Sequence, residues 1–82
     1  MNKQVEYFEN GEVRKEYFLN EEHRIDGVFR EYYENGEVLV DCQYKDGKVD
    51  GEANIYNDRG ELFLKYHYEN GQIIKMMKIF KN

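Results

Sequence analysis

Cys42 and His67 are the two side chains from which a nucleophile and its general base could be built, since a thiol attacks only when an imidazole lies within hydrogen-bond reach. Strand alternation speaks against the pair. An internal offset of 24 residues sets Cys42 in the column of Tyr66 and His67 beside Gln43, so thiol and imidazole should point to opposite faces. Cys42 reads instead as a small apolar filler between Val40 and Tyr44. Carboxylates beside glycines, in Asp46-Gly47-Lys48-Val49-Asp50 and Asn57-Asp58-Arg59-Gly60-Glu61, invite a calcium reading. They lack the Asp-x-Asp-x-Asp-Gly order and the closing Glu of a calcium loop, and each includes a cation. His23 lies in a charged loop and His67 on a polar face, neither with a second His or Cys at zinc-ligand spacing. A carboxylate pair for glycoside chemistry is no better placed, since these loop acids lie on exposed turns where nothing raises a pKa toward general acid work. The expectation is a protein with no catalytic residues, no metal and no cofactor.

The elements that carry these residues are set by repetition. Tyr-Phe-Glu-Asn-Gly-Glu-Val at 7–13 returns as Tyr-Tyr-Glu-Asn-Gly-Glu-Val at 32–38 and, altered, as Tyr-Asn-Asp-Arg-Gly-Glu-Leu at 56–62. A second phrase, Tyr44-Lys45-Asp46-Gly47-Lys48-Val49-Asp50-Gly51, falls between them, with a degenerate copy at 19–27 and a partial one at 68–71. Units of 24 to 25 residues hold only two strands and two turns, so none can enclose a core alone. Asn-Gly and Asp-Gly suit tight hairpins because Gly, and to a lesser degree Asn or Asp, tolerate positive φ. With 82 residues, 13 of them Tyr or Phe, and Pro absent, the prediction is one all-β domain over 1–82. It is an array of antiparallel β-hairpins in one elongated, twisted meander sheet of about seven strands, near 3–8, 13–19, 28–33, 37–45, 52–57, 61–68 and 72–80. The repeats run 3–26, 27–50 and 51–74, followed by an incomplete terminal strand at 75–82.

Columns through the repeats predict the packing: Tyr7, Tyr32, Tyr56 and Phe80 in one, then Val13, Val38 and Leu62, then Leu19, Tyr44 and Tyr68. Val38, Val40, Cys42 and Tyr44 should share one face of their strand. A sheet with one apolar face needs to coil, dimerise or gain a cover, and the aromatic ladder is expected to form its own shallow core. The net charge is −5, with much of the acidic excess on the turns, so a phosphate-backbone partner is not expected. Residues 73–81 offer at most a weak peripheral membrane contact. The first residues lack the apolar run of a signal peptide, and the lone cysteine permits no internal disulfide, so the expected compartment is the cytoplasm.

The alternating Tyr-x-x-Asn-Gly and Lys-Asp-Gly-Lys-x-Asp-Gly phrases resemble the variant MORN repeat of bacteria, including YwqK-like antitoxins, over residues 7–80. The resemblance implies a small protein that neutralises a partner, a toxin in that case, by binding it. Two stretches depart from the pattern: the loop at 20–26, one residue longer and lacking its first Gly, where register should be looser, and the end, where Ile74-Lys75 replaces Asp-Gly. The expected docking surface is a row of rings, Tyr7, Tyr32, Tyr56, Tyr66 and Tyr68, with Met76, Met77 and Phe80 at the edge. A scaffold that self-assembles or forms a homodimer through its unpaired edge strands, 3–8 and 72–80, is the alternative.

Overall fold

The computed structural model describes residues 1–79, which form seven strands and, among the described residues, no helix. These are β1 (Asn2–Tyr7), β2 (Val13–Leu19), β3 (Gly27–Tyr32), β4 (Val38–Lys45), β5 (Lys48–Tyr56), β6 (Leu62–Glu69) and β7 (Gln72–Lys78). Each pairs antiparallel with the next, so the sheet runs β1 to β7 in chain order, the meander that the alternating turn phrases predict. β5 begins four residues earlier than its predicted start at 52, because Asp46-Gly47 alone makes the turn and Lys45 already faces Lys48.

The two turn phrases fold differently, and this corrects the expectation that both place Asn or Asp at positive φ. Asp46 and Asn70 do so, each followed by a glycine at positive φ, in two-residue hairpins where Lys45 faces Lys48 and Glu69 faces Gln72. In the Tyr-x-x-Asn-Gly turns only the glycine takes positive φ: Gly11 donates its N–H to the Phe8 carbonyl at 3.0 Å, and Phe8 N–H reaches the Glu12 carbonyl at 2.8 Å. Asn10 and Asn35 serve there through the side chain, each Oδ1 accepting the N–H two residues on at 2.9 Å. The degenerate loop copies this second geometry. His23 stands at φ 65° where the others have glycine, and Asn20 Oδ1 accepts from the N–H groups of Glu22 and Arg24. Pairing beyond that loop is sparse, with two register pairs between β2 and β3 and a single bridge from Leu19 to Ile25.

The molecule measures 43 × 37 × 12 Å. Packed sheets lie about 10 Å apart, so this thickness is one layer with its side chains. Only Cys42 and Ala53, each 5% exposed and directly paired between β4 and β5, are buried hydrophobic residues among those described. Successive hairpins are also hooked together at their turns. The Tyr33 hydroxyl donates to the Tyr56 carbonyl at 2.7 Å and Asn35 Nδ2 to the Asp58 carbonyl at 2.8 Å. At the other end Gly47 N–H reaches the Ile25 carbonyl and Gly71 N–H the Val49 carbonyl.

Candidate functional site

Residues paired across antiparallel strands project to the same face. Cys42 pairs with Phe29 and Ala53, Ala53 with Tyr66, and Tyr66 with Met76; the Lys15–Glu31 pairing carries the row on to Tyr17. Tyr44, opposite Gly27, and Tyr68, opposite Gly51, stand one step along on the same face. The result is an aromatic face with small residues at its centre and rings on either flank. Tyr17 and Phe29 stack with centroids 5.8 Å apart, Phe29 and Tyr44 lie at 5.3 Å, and Tyr66 and Tyr68 at 6.0 Å. Pairs in this range add about 0.5–1.5 kcal/mol each beyond burial. Gly27, the first residue of β3, and Gly51, inside β5 where that strand gains two residues against β4, both take φ 97°. A residue with a Cβ adopts that φ only under strain.

Burial governs the chemistry of this face. The Cys42 thiol is pushed up to about 11, by desolvation first and then by the Asp41 and Glu31 carboxylates, so it stays protonated and inert at neutral pH. Tyr44 is raised by burial and then by Cys42 and Tyr68, which keeps its hydroxyl neutral. At the β1 end Tyr17 donates its hydroxyl to Glu6 Oε2 at 3.4 Å. Glu6 is held below the usual carboxylate range mainly by its 3.1 Å hydrogen bond from Arg14.

The opposite face is mixed, charged along its middle row and apolar at Val13, Val38 and Leu62. It carries Glu16, Arg30, Asp41, Asn54 and Lys65 in one row, with ion pairs Arg30–Asp41 at 3.5 Å and Lys65–Glu52 at 3.1 Å. Tyr32 projects here, raised by burial and then by Glu16. The single predicted row of rings is therefore two sets. Tyr66, Tyr68 and Met76 belong to the aromatic face; Tyr7, Tyr32 and Tyr56, opposite Val13, Val38 and Leu62, and Met77, opposite Lys65, belong to the mixed one. Phe80 lies outside the described residues. The reason is parity: Tyr32 is three residues from Phe29, an odd step that reverses the side chain. Tyr17, Phe29 and Tyr44 were not among the predicted docking residues, although Tyr44 shares a repeat column with Tyr68; the columns alone do not reveal Tyr17 and Phe29. For those two the signal was their cross-strand alignment with Cys42, which requires the register. The expected alternation from Val38 to Tyr44 is likewise broken once, since Val40 faces Glu31 but Val38 faces Tyr32, leaving Leu39 as a bulge.

His67 faces Glu52 and Lys75 on the mixed side, where it helps line an open depression of about 280 Å³ with Glu52, Lys65 and Lys75. Cys42 lies on the other side of the sheet, so the two cannot exchange a proton directly. The Asp46 carboxylate is engaged by Arg24 at 3.0 Å and by Asn20 at 3.1 Å. In the second glycine loop Glu61 accepts from Asn57 and Arg59 and is held low chiefly by Asn57. Turn bonding and ion pairs thus engage one acid in each glycine loop, Asp46 and Glu61.

Residues 25–46, which span β3, its turn and β4, match the model of the family described as MORN repeat variant. The match supports a MORN-repeat family and a binding or scaffold module. No curated protein and no solved structure matches the chain.

Proposed function

We propose that the chain is a non-catalytic protein-binding module whose aromatic face, centred on Tyr17, Phe29, Tyr44, Tyr66 and Tyr68, docks on a partner protein. The observation that carries this reading is the single layer: a face built of rings, whose buried apolar core among the described residues is only Cys42 and Ala53, is left half-buried rather than covered. Tyrosine suits such a surface, because each ring offers a large contact area at low entropy cost while its hydroxyl stays hydrogen-bonded at a wet rim. The family resemblance gives the binding a specific form, an antitoxin that neutralises its partner by occupying it in the cytoplasm. The acidic turns and net charge of −5 favour a basic partner and association that weakens with salt.

The test is co-expression with the product of the adjacent gene, followed by titration calorimetry of the purified pair. Tyr44→Ala and Tyr66→Ala should weaken binding by at least about tenfold, the usual cost of truncating a central aromatic anchor, while Tyr7→Ala on the mixed face should leave it unchanged. Tyr44→Phe, which keeps the ring, separates lost docking from lost folding. Binding that survives both aromatic-face truncations but fails with Tyr7→Ala would transfer the role to the other face.

A further inference from the structure

β7 is the described strand in which every residue is exposed, and it is the outermost of the sheet. Ile73 and Ile74 are 53% exposed, Met76 52% and Met77 46%. Met76, paired with Tyr66, projects to the aromatic face, and Met77, paired with Lys65, to the mixed face, so the strand is apolar on both. It is also the only described strand with no Asp or Glu. Ile79 donates its N–H inward to the Phe63 carbonyl at 3.1 Å, which fixes the phase of the ladder: Met76 and Lys78 turn their backbone groups outward. The other edge, β1, differs. It sets Asn2, Gln4 and Glu6 on the aromatic face.

We propose that β7 is a self-association edge, on which two copies of this chain join β7 to β7, antiparallel, about a two-fold axis through Met76. What the edge requires is a strand apolar on both faces, and in the described chain β7 itself is that strand. The axis follows from symmetry and charge. Centring on Lys75 or Lys78 would set like charges directly opposite each other, centring on Ile74 would put the bulge residue on the axis, and centring on Met77 would shorten the overlap. With Met76 facing Met76, Lys75 lies across from Met77 and Lys78 across from Ile74, so the lysine stems cover apolar surface while their ammonium groups reach water. The row Tyr17, Phe29, Cys42, Ala53, Tyr66, Met76 then runs unbroken into its copy, whereas β1 would bring Gln4 or Glu6 against Met76. One strand pair buries less than the roughly 1,200 Å² at which standard interfaces begin, so the dimer is weak, with Kd about 10–100 µM.

This proposal is independent of partner binding and is read on the purified chain alone. Sedimentation velocity from about 5 to about 500 µM, a range that brackets that Kd, should show monomer passing to dimer and no further. Met76→Lys, at a half-exposed position, should leave the far-UV spectrum intact and weaken association more than about tenfold. Register is tested in a Cys42→Ala background, since directly opposed residues lie about 5.5 Å apart at Cα, within disulfide range. Mild oxidation should link Met76→Cys several-fold faster than Ile74→Cys or Lys78→Cys. A monomer throughout, open-ended growth, or equal linkage at the three positions overturns the proposal.

Discussion

Replacing Cys42 by Ala should make the protein less stable at neutral pH and relatively more stable in alkali, so that two stability curves cross. The thiol is 5% exposed and paired with Ala53 at the sheet centre. Its removal leaves a small void costing about 1 kcal/mol at pH 7. Yet the same burial raises the thiol from 9.0 to about 11 in the fold. Between those values the unfolded chain has lost the proton and the native one retains it, so native stability falls as pH rises through the window. Each pKa unit corresponds to about 1.4 kcal/mol, and at pH 10.5 the loss amounts to about 2 kcal/mol. Wild type should therefore lead by about 1 kcal/mol at pH 7 and trail by about 1 kcal/mol at pH 10.5. Urea unfolding followed by far-UV circular dichroism, under reducing conditions at steps from pH 7 to 10.5, measures both curves, and titration of the tyrosines and lysines largely cancels in their difference. Parallel curves across the window would refute the idea that the Cys42–Ala53 pair is the dry centre of this sheet.

Phe29→Ala removes the ring that touches both Tyr17 and Tyr44 and should cost about 2–3 kcal/mol, below the full-core value because the site is half-buried; chemical denaturation reads the loss, and labelling of Cys42 should speed up in the variant. Asn20→Ala deletes the acceptor of two loop N–H groups and the donor to Asp26 and Asp46, and should lower stability by about 1–2 kcal/mol. Because β2 and β3 share so few pairs, hydrogen exchange in β1 and β2 should rise more than in β5 and β6. Arg14→Gln should return the Glu6 carboxyl toward its ordinary value of 4.5, seen by NMR titration as an upward shift, with Glu61 unmoved because its own depression comes from Asn57.

Strand number, order and most boundaries were legible because turn phrases recur at fixed spacing and each turn dictates a reversal. The boundary that moved furthest, the start of β5, did so because Lys48, Val49 and Asp50 look like loop residues by composition but lie beyond a two-residue turn and are drawn into the ladder. The roles of Asn10 and Asn35 were misread for a related reason. Asn-Gly permits either a positive φ or a side-chain acceptor, and the loop length, not the dipeptide, decides between them. The aromatic face was only half visible. Repeat columns tell which residues are equivalent, while the face on which they stand depends on parity and on bulges such as Leu39, so Tyr32 and Tyr66 were grouped although the sheet separates them. Lys75 shows the same logic at the far end: it stands 24 residues after Gly51, and where Gly27 and Gly51 sit at φ 97° the last hairpin shifts its register by one residue instead of two.

The hooks between successive turns give this architecture a unit of growth. The Tyr33–Tyr56 and Asn35–Asp58 bonds both reach 23 residues ahead, from one hairpin to its successor, and end on backbone carbonyls that any side chain would supply. A tandem copy of one hairpin spliced in at a turn would thus find its anchorage ready made, and the sheet would widen by two strand spacings, about 9.6 Å, each time. Breadth in such a protein changes by whole hairpins, so the extent of its ringed surface is set in steps of two strands.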